Sequence, residues 1–236
     1  MLIALISDVH ANLPALNVVL DEIDKIKPDK ILCLGDVVGY GPQPNEVIDI
    51  LRDRNIQTVL GNHDAASAGL FTSKSFKEPN QTLIKITREL LTEENKNWIR
   101  NLPMTLEGEN WIAAHATPLV KDHWPYMDSG LKCMDILKQI KHDFCFIGHT
   151  HRPGLVADQF GVIIPKKGNR FVINPGSVGQ SRDEDKRASF CTVDVENFTR
   201  EIYRCSYEFG ETLSFYEGIG MSREQGKKLL HLDRMF

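Results

Sequence analysis

The sequence predicts an α/β protein in which two β-sheets pack as a sandwich with helices on the outside. Up to Leu60, short apolar runs alternate with segments whose apolar residues recur at i, i+3, i+4 and i+7. That alternation is the pattern of βαβ units and a parallel sheet. From Leu106 onward a second series of apolar runs follows, enough strands for another sheet. The 236 residues, 42% of them apolar, suffice to bury a full core as a single domain, 1–236.

Leu2–Ile6 is the first strand. Leu13–Lys27 carries Leu16, Val19, Leu20 and Ile23 at the spacing of a core-facing helix, which Pro28-Asp29 ends. Ile31–Leu34 is the second strand, Asn45–Arg54 a helix through Val47, Ile48 and Leu51, and Ile56–Leu60 the third strand. Ala65–Pro79 is polar and irregular. Gln81–Arg100 is helical by period, and Thr92-x-x-Asn95 can cap a second helix whose first turn holds Glu93 and Glu94. Lying between chemically distinctive segments, residues 65–100 are expected to form an insertion that covers the site. Leu106–Ala114 gives one or two strands, Gly130–Lys141 a helix and Phe144–Ile147 a strand. Leu155–Val156 and Val162–Pro165 suggest a hairpin around Gly161, followed by strands at Arg170–Ile173, Ala188–Val195 and Phe198–Cys205, the last two antiparallel neighbours. From about residue 207, and clearly from Glu211, an amphipathic helical tail is expected.

A formal charge of −4 provides no broad basic field, and aromatic and basic residues do not interleave, so long nucleic acids are not expected as partners. The five cysteines, Cys33, Cys133, Cys145, Cys191 and Cys205, are scattered without C-x-x-C spacing. Cys33 and Cys145, inside apolar strand patterns, read as buried small hydrophobes, and the set as a whole argues for a reducing compartment and against a disulfide framework. The N-terminal run is too short for a signal peptide, and no stretch approaches a membrane span. The expectation is a cytoplasmic protein with no membrane partner, monomeric or a homo-oligomer.

Chemistry collects where the apolar runs stop. Asp8-Val9-His10 follows the first run, Gly35-Asp36 the second and Gly61-Asn62-His63-Asp64 the third; His115 follows Trp111–Ala114, and Gly148-His149-Thr150-His151 follows Phe144–Ile147. Open α/β sheets place ligand sites at the carboxyl ends of their strands. These ends would therefore bring carboxylates, an amide and imidazoles to one spot, which is a metal site. Alone, Asp-x-His is most often a surface loop and Gly-Asp or Gly-Asn a turn; their order after successive apolar runs argues against that reading. One-residue spacing in Asp8-x-His10 and His149-x-His151 puts both side chains of each pair on the same side of an extended segment. Imidazole, carboxylate and amide ligands suit Mn²⁺, Fe or Zn²⁺ better than Ca²⁺. His123, in a Trp-Pro loop near His115, is expected as exposed filler, and His142 and His231 as structural.

The series D-x-H, GD, GNH(D/E), a lone His and G-H-x-H resembles the calcineurin-like metallophosphoesterase superfamily, over about Leu2–Arg182. Within it, the segments Gly35–Pro42 and Asn174–Gly179 look like the small prokaryotic branch of phosphoesterases and phosphodiesterases. The resemblance implies the four-layer α/β/β/α metallophosphoesterase sandwich and a binuclear metal centre. One ion would take Asp8, His10, Asp36 and His151, the other Asp36, Asn62, His115 and His149, with Asp36 bridging ions roughly 3.5–4 Å apart. It implies hydrolysis of a phosphoester by in-line attack of a metal-bound hydroxide. His63 would be the catalytic imidazole that protonates the leaving oxygen, oriented by Asp64 through its other ring nitrogen.

One departure bears on substrate. Serine/threonine protein phosphatases of the superfamily read GD-x-V-D-R-G, and here Gly39 and Tyr40 replace the Asp and the phosphate-binding Arg. Tyrosine cannot clamp a phosphate bidentately. The expected activity is phosphodiesterase with some phosphomonoesterase, on a small phosphorylated or nucleotide-like substrate. The alternatives are a phosphatase, a dinucleoside-polyphosphate hydrolase and, from another class, a non-catalytic scaffold, which the filled ligand positions disfavour. Asn174-Pro-Gly-Ser177 either is a plain strand-end turn or, by the resemblance, supports the site or offers Asn174 and Ser177 to a phosphate. The charge run Arg182–Arg187 is expected as a mostly solvated loop from which Arg182 could reach a phosphate.

Overall fold

The computed structural model describes residues 1–161 and 166–232. β1 (Leu2–Ile6) is almost wholly buried because both of its faces are covered. Ile3 and Leu5 point between the two sheets, while Ala4 and Ile6 point toward helices. This is why the strand is a continuous apolar run rather than an alternating one. α1 (Leu13–Ile26) lies on that outer face through Leu16, Val19 and Ile23, started by the Asn12 side chain, which accepts from the Ala15 N–H. β2 (Lys30–Cys33) pairs parallel with β1, α2 (Pro44–Asp53) packs through Val47, Ile48 and Leu51, and β3 (Gln57–Thr58) extends the parallel set.

After β3 come α3 (Asn62–Ser67), a 3₁₀ turn at Ser73–Ser75, α4 (Asn80–Leu90) and α5 (Glu93–Arg100). Thr92 caps α5 by accepting from the Asn95 N–H. Arg88 and Arg100 donate to the carbonyls of Ala66 and Ala68, fastening α4 and α5 to the open end of α3. The second sheet follows: β4 (Thr105–Glu107), β5 (Trp111–Ala114), β6 (Phe144–Phe146), β7 (Pro153–Ala157) and β8 (Phe171–Pro175). Its strand order is β4-β5-β6-β8-β7, with β5, β6 and β8 parallel and both edges antiparallel. β9 (Ala188–Asp194) and β10 (Thr199–Cys205) return to the first sheet, whose order is β10-β9-β1-β2-β3.

Between the sheets lie Ile3, Leu5, Leu32, Leu34, Trp111, Phe144, Phe146 and Phe171. On the far side α6 (Gly130–Gln139) covers Ile112, Cys145 and Val172 through Cys133, Ile136 and Leu137. The layers are therefore α/β/β/α, the architecture expected from the sequence.

Several local readings change. Ala65–Ser67, expected as irregular, belongs to α3, because Gly61 sits at the N-cap and the Asp64 carboxylate caps the Gly61 N–H. Leu155–Val156 does form a strand, but β7 pairs antiparallel with β8; Val162–Pro165 lies outside the described residues. His142 falls beyond α6, buried, with its Nε2 3.8 Å from Glu107. The expected tail is folded onto the body. α7 (Gly210–Gly218) and α8 (Arg223–Leu229) bury Leu213, Tyr216 and Leu230 against Tyr40 and Leu83.

Candidate metal centre

Each sequence-predicted ligand sits just past a strand end. Asp8 and His10 follow β1, Asp36 follows β2, Asn62 opens α3, His115 follows β5, and His149 and His151 follow β6. All seven are buried. Five hold left-handed backbone: Asp8 at φ 53°, His10 at 52°, Asp36 at 51°, His149 at 66° and His151 at 59°. Non-glycine residues seldom adopt this region, and such strain gathers at functional sites where the surroundings enforce it. Here it turns the chain sharply past β1, β2 and β6 so that the side chains converge.

Two clusters result, Asp8 with His10 and His151, and Asp36 with His115 and His149. In the first, His10 Nε2 and His151 Nε2 are 3.2 Å apart and His151 Nε2 is 3.3 Å from Asp8 Oδ1. In the second, His115 Nε2 is 3.2 Å from both Asp36 Oδ2 and His149 Nδ1. The clusters touch, since His10 Nε2 is also 3.9 Å from Asp36 Oδ2. Asp36 thus stands between them, its Oδ1 held at 2.8 Å by the His63 N–H. Gly61 leaves room for this: a Cβ there would fall 2.1 Å from Asp36 Oδ1.

The donor set fits divalent transition metals. Three rings are anchored through Nδ1 to backbone carbonyls: His10 to Val38 at 3.1 Å, His115 to Leu34 at 2.6 Å and His151 to Gln180 at 2.6 Å. Such anchoring fixes the ring orientation and aims Nε2 inward, ready to ligate once it carries no proton. Asp8 Oδ1, Asn62 Oδ1 and His149 Nε2 are buried without any hydrogen-bond partner. Buried polar atoms are rarely left so, and a cation in each cluster would satisfy the Asp8 and Asn62 oxygens, while His149 faces its cluster through Nδ1.

The electrostatics agree. Burial pushes the Asp8 carboxyl up to about 7, against the pull of His115. Burial also pushes on Asp36, but the imidazoles of His115, His63 and His10 outweigh it and hold that carboxyl well below its usual range. Burial opposes charge on His115, yet the Asp36 and Asp8 carboxylates keep it protonated up to about 9. Burial drives His149 down to about 3 and His63 to about 4, and His10 and His151 well below the usual range.

His63 lines the cavity beside the clusters, its ring centroid 4.9 Å from those of His10 and Tyr40 and 5.0 Å from that of Phe76. Asp64 does not meet its ring, which corrects the role expected for that carboxylate. Its oxygens accept from the backbone N–H groups of Val38 at 3.0 Å and Gly61 at 3.1 Å, because α3 turns the side chain back to cap its own start. Asp64 instead ties the strand end carrying Asn62 to the loop after Asp36, and His63 Nδ1 is buried without a partner. Gly39, at φ +109°, lets that loop pass close; a Cβ there would lie 2.7 Å from His63 Nδ1.

Asn174 and Ser177 brace the ligand loops. Asn174 Nδ2 donates to the Gly148 carbonyl at 2.7 Å, and Ser177 Oγ to the Asp8 carbonyl at 2.8 Å. A cavity of about 590 Å³ opens over the clusters, within the usual range for small-molecule sites. Its walls include Tyr40, Phe71, Phe76, Trp124, Tyr126 and Arg182, with the exposed His123 at its edge. Sequence reasoning missed Tyr126, whose ring stacks on His149 at 4.2 Å. The one available signal was its place in the Trp124-Pro125-Tyr126 loop shortly after His115.

Comparison with known proteins agrees with this geometry. The chain is 35% identical, over 94% of its length and 93% of the relative's, to an uncharacterized protein of Methanocaldococcus jannaschii. A metallophosphoesterase from Sphaerobacter thermophilus superposes with a TM-score of 0.82 at 31% identity, covering 98% of both chains. A symmetrical bis(5'-nucleosyl)-tetraphosphatase of Proteus mirabilis is 30% identical over 117 residues, 48% of this chain; the match spans 43% of that relative's length. Residues 1–198 match the calcineurin-like phosphoesterase superfamily domain. The chain belongs to that superfamily and is a metal-dependent phosphoester hydrolase.

Proposed function

We propose that the protein is a binuclear phosphodiesterase with some phosphomonoesterase activity, acting on small phosphorylated or nucleotide-like molecules. The observation that carries this is the pair of buried clusters meeting at Asp36 beneath a cavity of about 590 Å³. Asp8, His10, Asp36 and His151 hold one ion, and Asp36, Asn62, His115 and His149 the other, Mn²⁺ in preference to Fe or Zn²⁺. Bound there, two such ions supply Lewis acidity toward phosphoryl oxygens and make a water acidic enough to serve as nucleophile at neutral pH.

The chain's own residues do the rest. The carbonyl anchors on His10, His115 and His151 preorganise the donors, so little reorganisation accompanies binding. Tyr40, His63 and Phe76 wall one side of the cavity and Tyr126 the other, displacing water from the reacting phosphoryl. His63, packed among these rings, donates the proton to the leaving oxygen. Its fall to about 4 comes chiefly from burial, and an anionic substrate beside it offsets that by favouring the protonated ring. Residues 65–100 act as the cover of a single domain, contributing Phe71, Ser75, Phe76, Lys77 and Asn80 to the walls.

A second reading, a dinucleoside-polyphosphate hydrolase, is favoured by the edge-to-face contacts of Phe71 with Phe76 and Trp124 in the cavity wall, a surface for a nucleobase. No helix among the described residues is long and apolar enough to cross a membrane. Its free cysteines accord with a cytoplasmic setting. Metal-loaded protein assayed on monoesters, diesters and dinucleoside polyphosphates tests the reading: diester cleavage above the other two supports it, and polyphosphate cleavage alone replaces it with the second.

A further inference from the structure

The Arg expected of a phosphate clamp is absent at Tyr40, yet a guanidinium arrives at the same place from the far end of the domain. Arg182 Nη2 lies 3.4 Å from the Tyr40 hydroxyl, and its Nη1 is 3.3 Å from the Tyr126 hydroxyl. Tyr40 packs against His10 and His63, whereas Tyr126 stacks on His149. Arg182 therefore reaches across from the side of one metal cluster to the side of the other, in the wall of the same cavity.

Its charge is felt by Asp8 but is not spent in a direct ion pair. Both hydroxyls and the Gln180 Oε1 at 3.1 Å are neutral partners, and Arg182 Nε is buried with none. Of the acidic residues that follow it, Asp183 pairs with Arg204, Asp185 pairs with Arg187, and Glu184 is exposed. Among the described residues no carboxylate comes within ion-pair distance of Arg182. The Tyr40 hydroxyl is itself fixed, by the Asn80 side-chain amide at 2.9 Å and by the C-terminal helices packed on its ring. A positioned guanidinium without a direct carboxylate partner, facing the cavity over the two clusters, is a binding site for an anion.

Resting on the phosphoester reading above, we infer that Arg182, held by Tyr40 and Tyr126, is the clamp on the phosphoryl oxygens and the determinant of activity on dianionic monoesters. A monoester presents one more negative charge than a diester, so it gains most from a cation at this point. The Tyr in place of Arg after Gly35-Asp36 then marks a relocated clamp, not a lost one.

The test uses the full metal-loaded chain with inorganic phosphate as probe. Arg182→Gln should weaken phosphate binding by about 10- to 100-fold, the scale of a lost charge-assisted hydrogen bond, while metal content stays at the wild-type value. kcat/KM for monoesters should fall at least about 10-fold more than for diesters. Arg182→Lys, which keeps the charge but loses the planar fork, should recover part of the phosphate affinity. Unchanged phosphate affinity in Arg182→Gln, equal losses on both ester classes, or loss of metal in Arg182→Lys would each overturn the assignment. Phosphate binding needs no turnover, so this result stands apart from the hydrolase reading, which fails only if the wild-type protein cleaves no ester.

Discussion

His10 and His151, 141 residues apart in the chain, bring their Nε2 atoms to 3.2 Å of each other. Both rings are bonded through Nδ1 to a carbonyl, so both present Nε2 as an acceptor. Two acceptors facing one another in a buried site repel unless a cation lies between their lone pairs. Divalent ions should therefore stabilise the fold. At about 100 times its Kd one ion adds about 2.7 kcal/mol, or about 5–10 °C in Tm for a chain this size. Thermal unfolding of chelator-treated protein with and without Mn²⁺ measures this; an unchanged Tm would contradict the site.

Metal uptake should displace protons. In the metal-free protein His115 keeps its proton up to about 9 and Asp8 up to about 7, facing Asp36 and His149 as well as each other. Ligation needs both deprotonated, so affinity should rise with pH and level off above about 9. At pH 7.5 roughly one proton should leave, mostly from His115. Calorimetric titrations in two buffers of different ionisation enthalpy report the number, and proton uptake on binding would refute the direction.

His63→Ala should keep both metals but cut turnover by about 10²–10⁴, the usual size of general-acid effects. The loss should be greatest for alkyl leaving groups and small for p-nitrophenolate, which departs without help. His115→Ala should instead lose metal and be partly rescued by added Mn²⁺. An equal loss of the His63 variant on both substrates would show that the ring stabilises phosphoryl charge instead.

Replacing residues 71–79 by a Gly/Ser linker removes Phe71, Ser75, Phe76 and Lys77 from the cavity wall. Substrate preference should change while metal content stays near normal. Identical kinetics across the ester panel would show that this segment does not cover the substrate.

The strands and their ligand-bearing ends were legible because burial on both faces writes continuous apolar runs, which stop where Asp8, Asp36 and His115 begin. α3 was not: its six residues are too few to show a period, and its start depends on an Asp64 cap formed only after folding. The same local hydrogen bonding withdrew Asp64 from His63, a matter of side-chain direction that spacing cannot encode. Tyr126 and the closeness of Arg182 to Tyr40 were hidden because they join loops distant in sequence. The fold of the last helices depends on Leu213, Tyr216 and Leu230, whose apolar face was visible but whose partner, Tyr40, was not.

In the proposed centre one carboxylate, Asp36, serves two ions. Elemental analysis of purified wild-type protein and of Asp36→Asn after equal dialysis tests it most directly. The wild-type chain should hold close to two transition-metal ions, and the variant should retain neither tightly, since both clusters lose their shared charge. Two ions retained by Asp36→Asn would contradict the bridge.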